Sequence, residues 1–268
     1  MKKLNNLSEI FAHYDTFIID LWGVMHNGIK LNPKSIEAIE KLKYNKKKIV
    51  FLSNAPRPSE EVKKFLNGIN MKEEYLKNIV TSGEAAKESL EKNKFGKYFF
   101  HLGPDRDSSL FSNFSDKKTS LEKCQFILCT GLFDDTKNDL NYYRELLKNY
   151  TSKKLICTNP DLTVHRGDIE EYCAGTLAQL FETLGGKSIY FGKPYKEIYK
   201  MCFKEGEKVI AIGDNLRTDI KGANNMKIDS IFILNGVHRS EIKNKKDLLD
   251  ISKKYQIELK YFQAELTW

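Results

Sequence analysis

An α/β fold with a parallel sheet and helices on both faces is what this chain predicts, and three observations carry the prediction. Short runs rich in β-branched and aromatic residues alternate with amphipathic stretches along its whole length. Several of those runs end on an acid or a small hydroxyl: Phe17-Ile18-Ile19-Asp20, Phe51-Leu52-Ser53-Asn54 and Ile212-Gly213-Asp214. In an open α/β sheet such strand ends converge at the carboxyl edge, where ligands bind. Finally, 138 residues (55–192) separate Asn54 from Lys193, although both belong to one set of polar groups that chemistry would bring together.

Taken in order, strands are expected at 16–20, 48–53, 78–81, 97–102, 124–130, 154–158, 188–191, 208–212 and 229–234. Helical patterns fall between them at 33–44, 58–68, 83–92, 138–149, 171–184, 195–204 and 218–225. The stretch 83–187 keeps its own strand and helix alternation and is large enough to be an independent unit. It is expected as an inserted α/β cap domain, with 1–82 and 188–268 folding together as a Rossmann-like core. No internal repeat and no low-complexity linker interrupts the pattern.

Bulk properties narrow the function classes. A hydrophobic fraction of 41% is ordinary for a globular chain. No apolar stretch approaches the roughly 18 residues that suggest a membrane span. The start, Met1-Lys2-Lys3-Leu4-Asn5-Asn6, lacks the apolar region of a secretory signal, so a cytoplasmic setting is expected. Cys124, Cys129, Cys157, Cys173 and Cys202 show no paired metal-binding spacing and read as buried free thiols. The net charge of +8 comes from lysines scattered among acids, with few aromatics beside them. That argues against nucleic acid and for attraction of small anionic substrates. Lys46-Lys47-Lys48 and the run Lys243 to Lys246 read as solvated faces or loops.

Asp20, Ser53, Lys193 and Asp214 together offer the parts of a phosphoryl-transfer site. A carboxylate can attack phosphorus and form an aspartyl-phosphate, splitting one hard step into two. The transferring group spreads negative charge over its equatorial oxygens, so catalysis is largely positioning and charge stabilisation. Lys193 would supply the cation and Ser53 would hold an oxygen. Asp20 and Asp214 offer the hard oxygen ligands that Mg²⁺ prefers. Singly, each piece also reads as a cap or turn; the order and spacing of the four give the reading its weight.

With these pieces in view, the chain resembles the haloacid dehalogenase superfamily, and within it the NagD-like class IIA phosphatases. The resemblance extends over nearly the whole chain. It includes Val80-Thr81-Ser82-Gly83-Glu84-Ala85, Thr158-Asn159-Pro160-Asp161, Cys173-Ala174-Gly175-Thr176, Gly192-Lys193-Pro194 and Gly213-Asp214-Asn215-Leu216-Arg217-Thr218-Asp219-Ile220. It implies that Asp20 is the nucleophile, that Ser53 and Lys193 bind phosphate, and that Mg²⁺ is held by Asp20 and Asp214. The backbone carbonyl of Trp22 would be a further metal ligand. Asp219 is expected at the metal site as an acid orienting Lys193 or a metal-bound water. Asn54 is expected to reach substrate, and Arg57 to reach phosphate or the cap or to form a surface ion pair; Asn159, Asp161, His165 and Arg166 fall on substrate-facing loops of the cap or on a polar loop that holds no ligand.

One position departs from the resemblance. Family phosphatases carry a second aspartate two residues after the nucleophile, which protonates the leaving group and later activates water. Here that position is Trp22, within Asp20-Leu21-Trp22-Gly23-Val24-Met25-His26-Asn27-Gly28. His26 is either a substitute titratable group, a substrate contact or a turn cap. The expected function is a Mg²⁺-dependent phosphomonoester hydrolase acting on a small phosphorylated metabolite, a sugar phosphate or a nucleotide. A phosphotransferase and a non-catalytic phospho-ligand binding module are the alternatives that the missing acid keeps open. Substrate identity, pathway and oligomeric state, a homodimer among the options, stay open on sequence.

Overall fold

The computed structural model describes residues 1–136 and 139–268. The elements run β1 (Lys2–Lys3), β2 (Thr16–Ile19), α1 (Pro33–Tyr44), β3 (Lys48–Ser53), α2 (Ser59–Gly68), β4 (Ile79–Thr81) and α3 (Ser82–Glu91). Then come β5 (Phe99–Leu102), β6 (Phe126–Cys129), α4 (Leu140–Leu147), β7 (Lys154–Cys157), β8 (Thr163–Arg166), β9 (Ile169–Tyr172), α5 (Ala174–Thr183) and β10 (Lys187–Tyr190). The chain closes with α6 (Lys196–Lys200), β11 (Val209–Gly213), α7 (Lys221–Met226), β12 (Asp229–Ile233), α8 (Lys245–Lys254) and β13 (Tyr261–Gln263).

A seven-stranded parallel sheet has the order β1-β13-β12-β11-β2-β3-β4, and a four-stranded parallel sheet the order β10-β7-β6-β5. Sequence alternation decides which face each residue serves. Phe17 and Ile19 of β2 pack with α1 and α2 through Ile39, Leu42, Val62 and Leu66, while Ile18 between them packs with Ile198, Tyr199 and Ala223 of α6 and α7. Both faces are covered, which is why the strands read as continuous apolar runs and not as alternating ones. The smaller sheet repeats the arrangement. Ile127 and Leu155 meet Tyr143, Leu177 and Phe181 on one side; Phe126, Leu128 and Ile156 meet Leu90, Phe111 and Phe114 on the other.

The α/β class with parallel sheets is as expected, and the nine expected strands lie within a residue or two of their predicted places, while β1, β8, β9 and β13 were not expected. The smaller sheet extends past the stretch 83–187. The strand expected at 188–191 forms at Lys187–Tyr190, and it pairs with β7 in the smaller sheet. The chain therefore returns to the larger sheet after Tyr190, not at 188, because Ile189 and Tyr190 are packed against the smaller sheet's two cores. Residue 138, where the expected 138–149 helix begins, lies outside the described residues. The 171–184 pattern is split: Glu171 and Tyr172 belong to β9, and the helix starts at Ala174. β8 and β9 form an antiparallel hairpin in a stretch read from sequence as a polar loop. Among the described residues no helix is long and apolar enough to cross a membrane, and all five cysteines are free and buried.

Candidate active site

Strands β11, β2 and β3 are neighbours in the larger sheet and point the same way, so the residues that follow them meet at one edge. Ile19 is in register with Ile212 and with Phe51, and the Asp20 N–H donates to the Ile212 carbonyl at 2.9 Å. Asp20 follows Ile19 directly, and Asp214 and Ser53 stand two residues beyond Ile212 and Phe51. Carboxylate oxygens of Asp20, Asp214 and Asp219 lie within 4.8 Å of one another, and all three residues are buried. Asp219 reaches the cluster from the helical turn Leu216–Ile220 that leads into α7. The Lys193 Nζ donates to Asp20 Oδ1 at 2.6 Å and to Asp219 Oδ1 at 2.7 Å.

Charge in this cluster is uneven. Burial works against the Lys193 ammonium, but Asp20 and Asp219 outweigh it and raise its pKa, so the lysine stays protonated. Burial pushes the Asp20 carboxyl well above the usual range, with Lys193 pulling it back. Burial together with the Asp219 charge raises Asp214 to about 8. Three acids facing one lysine are short of positive charge, and a hard divalent cation is the group that such an oxygen set would take. The Val237 N–H donates to Asp214 Oδ2 at 2.7 Å, leaving its other oxygen to the cluster. Gly23, at φ +87°, is required here: a Cβ would lie 2.0 Å from Asp214 Oδ2. Both oxygens of Asp219 are already engaged, Oδ1 by Lys193 and Oδ2 by the Asn215 N–H at 3.1 Å. Asp219 thus suits orienting the lysine better than direct ligation.

Around the cluster lies a cleft of about 420 Å³, lined by every residue expected at the site. Their side chains are engaged in different ways. The Ser53 Oγ accepts the Ala55 N–H at 3.2 Å, which leaves its own proton to donate. Asn54 is spent on bracing: its Oδ1 accepts the Lys193 N–H at 2.8 Å and its Nδ2 donates to the Lys193 carbonyl. Arg57 sits 3.4 Å from Asp107 of the smaller unit, whose carboxyl is raised by burial to about 6. Asn159 closes its own turn by accepting the Asp161 N–H. The Asp161 carboxylate accepts the Asn215 Nδ2 at 3.1 Å, tying a loop of the smaller unit to the motif around Asp214.

His26 caps a turn. Its Nδ1 accepts the Gly28 N–H at 3.0 Å, and burial, helped by the Arg166 charge, lowers its pKa to about 4. Its ring packs edge-on against Trp22, with centroids 5.1 Å apart. Trp22 lines the cleft and stacks parallel to Phe65, while its Nε1 donates to the His165 carbonyl at 2.8 Å. Asn215, Val237, Asp107 and Phe65 are site residues that the sequence reading missed. Asn215 stood inside a recognised motif; the other three carry no local signal.

A family model described as haloacid dehalogenase-like hydrolase matches residues 17–115, and a second, HAD-hydrolase-like, matches residues 190–254. The chain belongs to the haloacid dehalogenase superfamily. Together the two matches contain Asp20, Ser53, Lys193, Asp214 and Asp219. Ribonucleotide monophosphatase NagD of Escherichia coli is 32% identical over 88 residues, 31% of this chain and 34% of that protein, so the match spans about a third of its length. A haloacid dehalogenase-like hydrolase from Brucella suis superposes with a TM-score of 0.87 at 26% identity, over 98% of this chain and 100% of that one. A possible sugar phosphatase of the same superfamily from Cytophaga hutchinsonii gives 0.80 at 20% identity, covering 98% and 97%, a likeness of fold alone.

Proposed function

We propose that the protein is a Mg²⁺-dependent phosphomonoester hydrolase that works through an aspartyl-phosphate on Asp20. The observation that carries the reading is Lys193, held between Asp20 and Asp219, whose carboxylates cluster with that of Asp214. Support also comes from superfamily membership and from the partial match to a ribonucleotide monophosphatase. The substrate is read as a small phosphorylated metabolite, a sugar phosphate or nucleotide, admitted beneath the 83–187 region acting as a cap. Five free thiols suit a reducing compartment, and a cytoplasmic setting is part of the same reading.

Asp20, Asp214 and the Trp22 carbonyl would hold the Mg²⁺, with Asp219 behind them. When bound, the ion offsets the repulsion between an anionic nucleophile and an anionic phosphate. Lys193 and the Ser53 hydroxyl bind the phosphoryl oxygens and orient phosphorus toward Asp20. The Asp20 carboxylate then forms a bond to phosphorus as the ester P–O bond breaks, and the departing oxygen keeps the electron pair. Water attacks the phosphoryl-aspartate, releasing phosphate and restoring the carboxylate. Asn54, locked to the Lys193 backbone, and Asp219, bonded to its ammonium, fix the lysine in place.

The test is phosphate release from nucleotides, sugar phosphates and aryl phosphates with Mg²⁺, for the wild type and Asp20→Asn. Wild-type release and a trapped acid-stable phosphoenzyme are expected, both lost in Asp20→Asn while its fold is retained. Full activity of the variant would show that another group attacks. Phospho-ligand binding without any release would favour the binding module.

A further inference from the structure

We infer that Trp22 is a positioning residue that latches the β8–β9 hairpin over the active site. It stands where an acid–base group is expected, but its contacts lead to the cap. The Trp22 Nε1 donates to the His165 carbonyl at 2.8 Å, so the indole is bonded to backbone near the end of β8. The Arg166 guanidinium lies over the indole, 5.1 Å from its centroid, and its Nη1 approaches the Gly28 carbonyl at 3.5 Å. At the hairpin tip the Gly167 N–H donates to the Asn27 carbonyl at 3.0 Å. From the other side, the Arg239 Nη2 donates to the Gly167 carbonyl at 3.3 Å. Val164, His165, Arg166 and Glu171 of the hairpin line the same cleft as Asp20. Undocking the hairpin would uncover that cleft.

The segment 22–28 is built around this contact. Gly28, at φ +84°, makes room for the indole: a Cβ there would lie 2.4 Å from Trp22 Cζ2. His26 supports the ring from its edge and holds the Gly28 N–H, and Phe65 stacks along it. Trp22, His26 and Gly28 of the unusual motif are therefore one unit, and its output is a flat, hydrogen-bonding platform for the lid. Closure of this kind excludes water and completes a site. The inference concerns the lid and stands whichever ester the cleft receives.

Hydrogen exchange on the full-length protein, without substrate, tests it independently of catalysis. The Gly167 amide bonds across the latch, whereas the Cys173 amide bonds to the Leu162 carbonyl within the cap, at 2.7 Å. Trp22→Phe keeps an aromatic ring but removes the indole N–H, and Arg166→Ala removes the exposed cation from the cap side. Each variant should speed exchange at Gly167 roughly three- to tenfold, the loss of one hydrogen bond or one cation–π contact, and leave Cys173 unchanged. Unaltered Gly167 exchange in both variants would overturn the latch. Equal acceleration at Gly167 and Cys173 would overturn it too, since the indole would then be supporting the fold of the cap and not its closure.

Discussion

Residue 22 offers an indole where a carboxyl group would hand a proton to the departing oxygen. Trp22 has a donor N–H but no proton to exchange near neutral pH, and that N–H is committed to the His165 carbonyl. His26 does not replace it: its Nδ1 is occupied and its pKa is lowered to about 4, by burial and by Arg166. In the proposed mechanism the leaving group then departs largely as an anion. Phenols ionise near about 10, far more readily than alcohols. General acid help is worth roughly 10²–10⁴ in rate, and we predict a preference of aryl over alkyl phosphates of that order. Steady-state turnover of paired aryl and alkyl esters measures it. Trp22→Asp should raise alkyl turnover and narrow the gap. Trp22 is half-buried, so truncating it should cost less than the roughly 3–5 kcal/mol of a fully buried large side chain, and circular dichroism must accompany the rates. Equal wild-type rates on both classes would show that a proton donor is already present. Sequence alone exposed the missing acid. It left His26 open between substitute, contact and cap, because only coordinates show what its Nδ1 faces.

Elements with strong periodicity were legible and those with charged surfaces were not. β3 and α1 fall on the predicted residues, since Ile49 to Leu52 and the stripe of Ile36, Ile39 and Leu42 carry unambiguous patterns. β8 was read as a loop and the end of β9 as the start of a helix, because none of the hairpin's side chains is buried. Its Gly167-Asp168 turn between two extended runs was the signal available. The lysine run 243–246 was read as loop or solvated face; its residues are exposed, and Lys245 and Lys246 open α8. Asn244 is the cap: its side chain accepts the Lys246 and Asp247 N–H groups, and Asp247 accepts the Asn244 N–H in return. Leu248 and Ile251 one turn on pack against Leu216, Ile220 and Phe232, next to the turn that carries Asp219. Removing a cap of this kind costs about 0.5–2 kcal/mol. Asn244→Ala should lower the urea midpoint by an amount in that range with the m-value unchanged. An unshifted midpoint would mean that α8 frays already and contributes nothing to the core.

At the scale of the whole molecule, the buried acids are a stability cost that the function imposes. An acid with a raised folded pKa holds its proton in the folded state after the unfolded chain has lost it. Stability then falls as pH rises from the unfolded value near about 4 toward the folded one. Asp214, raised to about 8 by burial and by Asp219, has this sign throughout that window, and Asp20 has it too. Lys193 offsets only part of the charge, because it is shared between Asp20 and Asp219. With a chelator present, denaturation midpoints should therefore decline from pH 5 to pH 8. Asp214→Asn removes one buried charge, so it should be more stable than wild type at pH 8 in chelator, with the difference shrinking toward pH 5. Mg²⁺ should reverse the order. A ligand at 100 times its dissociation constant adds about 2.7 kcal/mol, and wild type should gain this while Asp214→Asn gains little. Midpoints of both proteins at two pH values, with and without Mg²⁺, settle the matter. A wild type that Mg²⁺ fails to stabilise would remove the metal from the mechanism. An Asp214→Asn variant that is less stable than wild type in chelator would show that the Val237 hydrogen bond to Asp214 outweighs the repulsion.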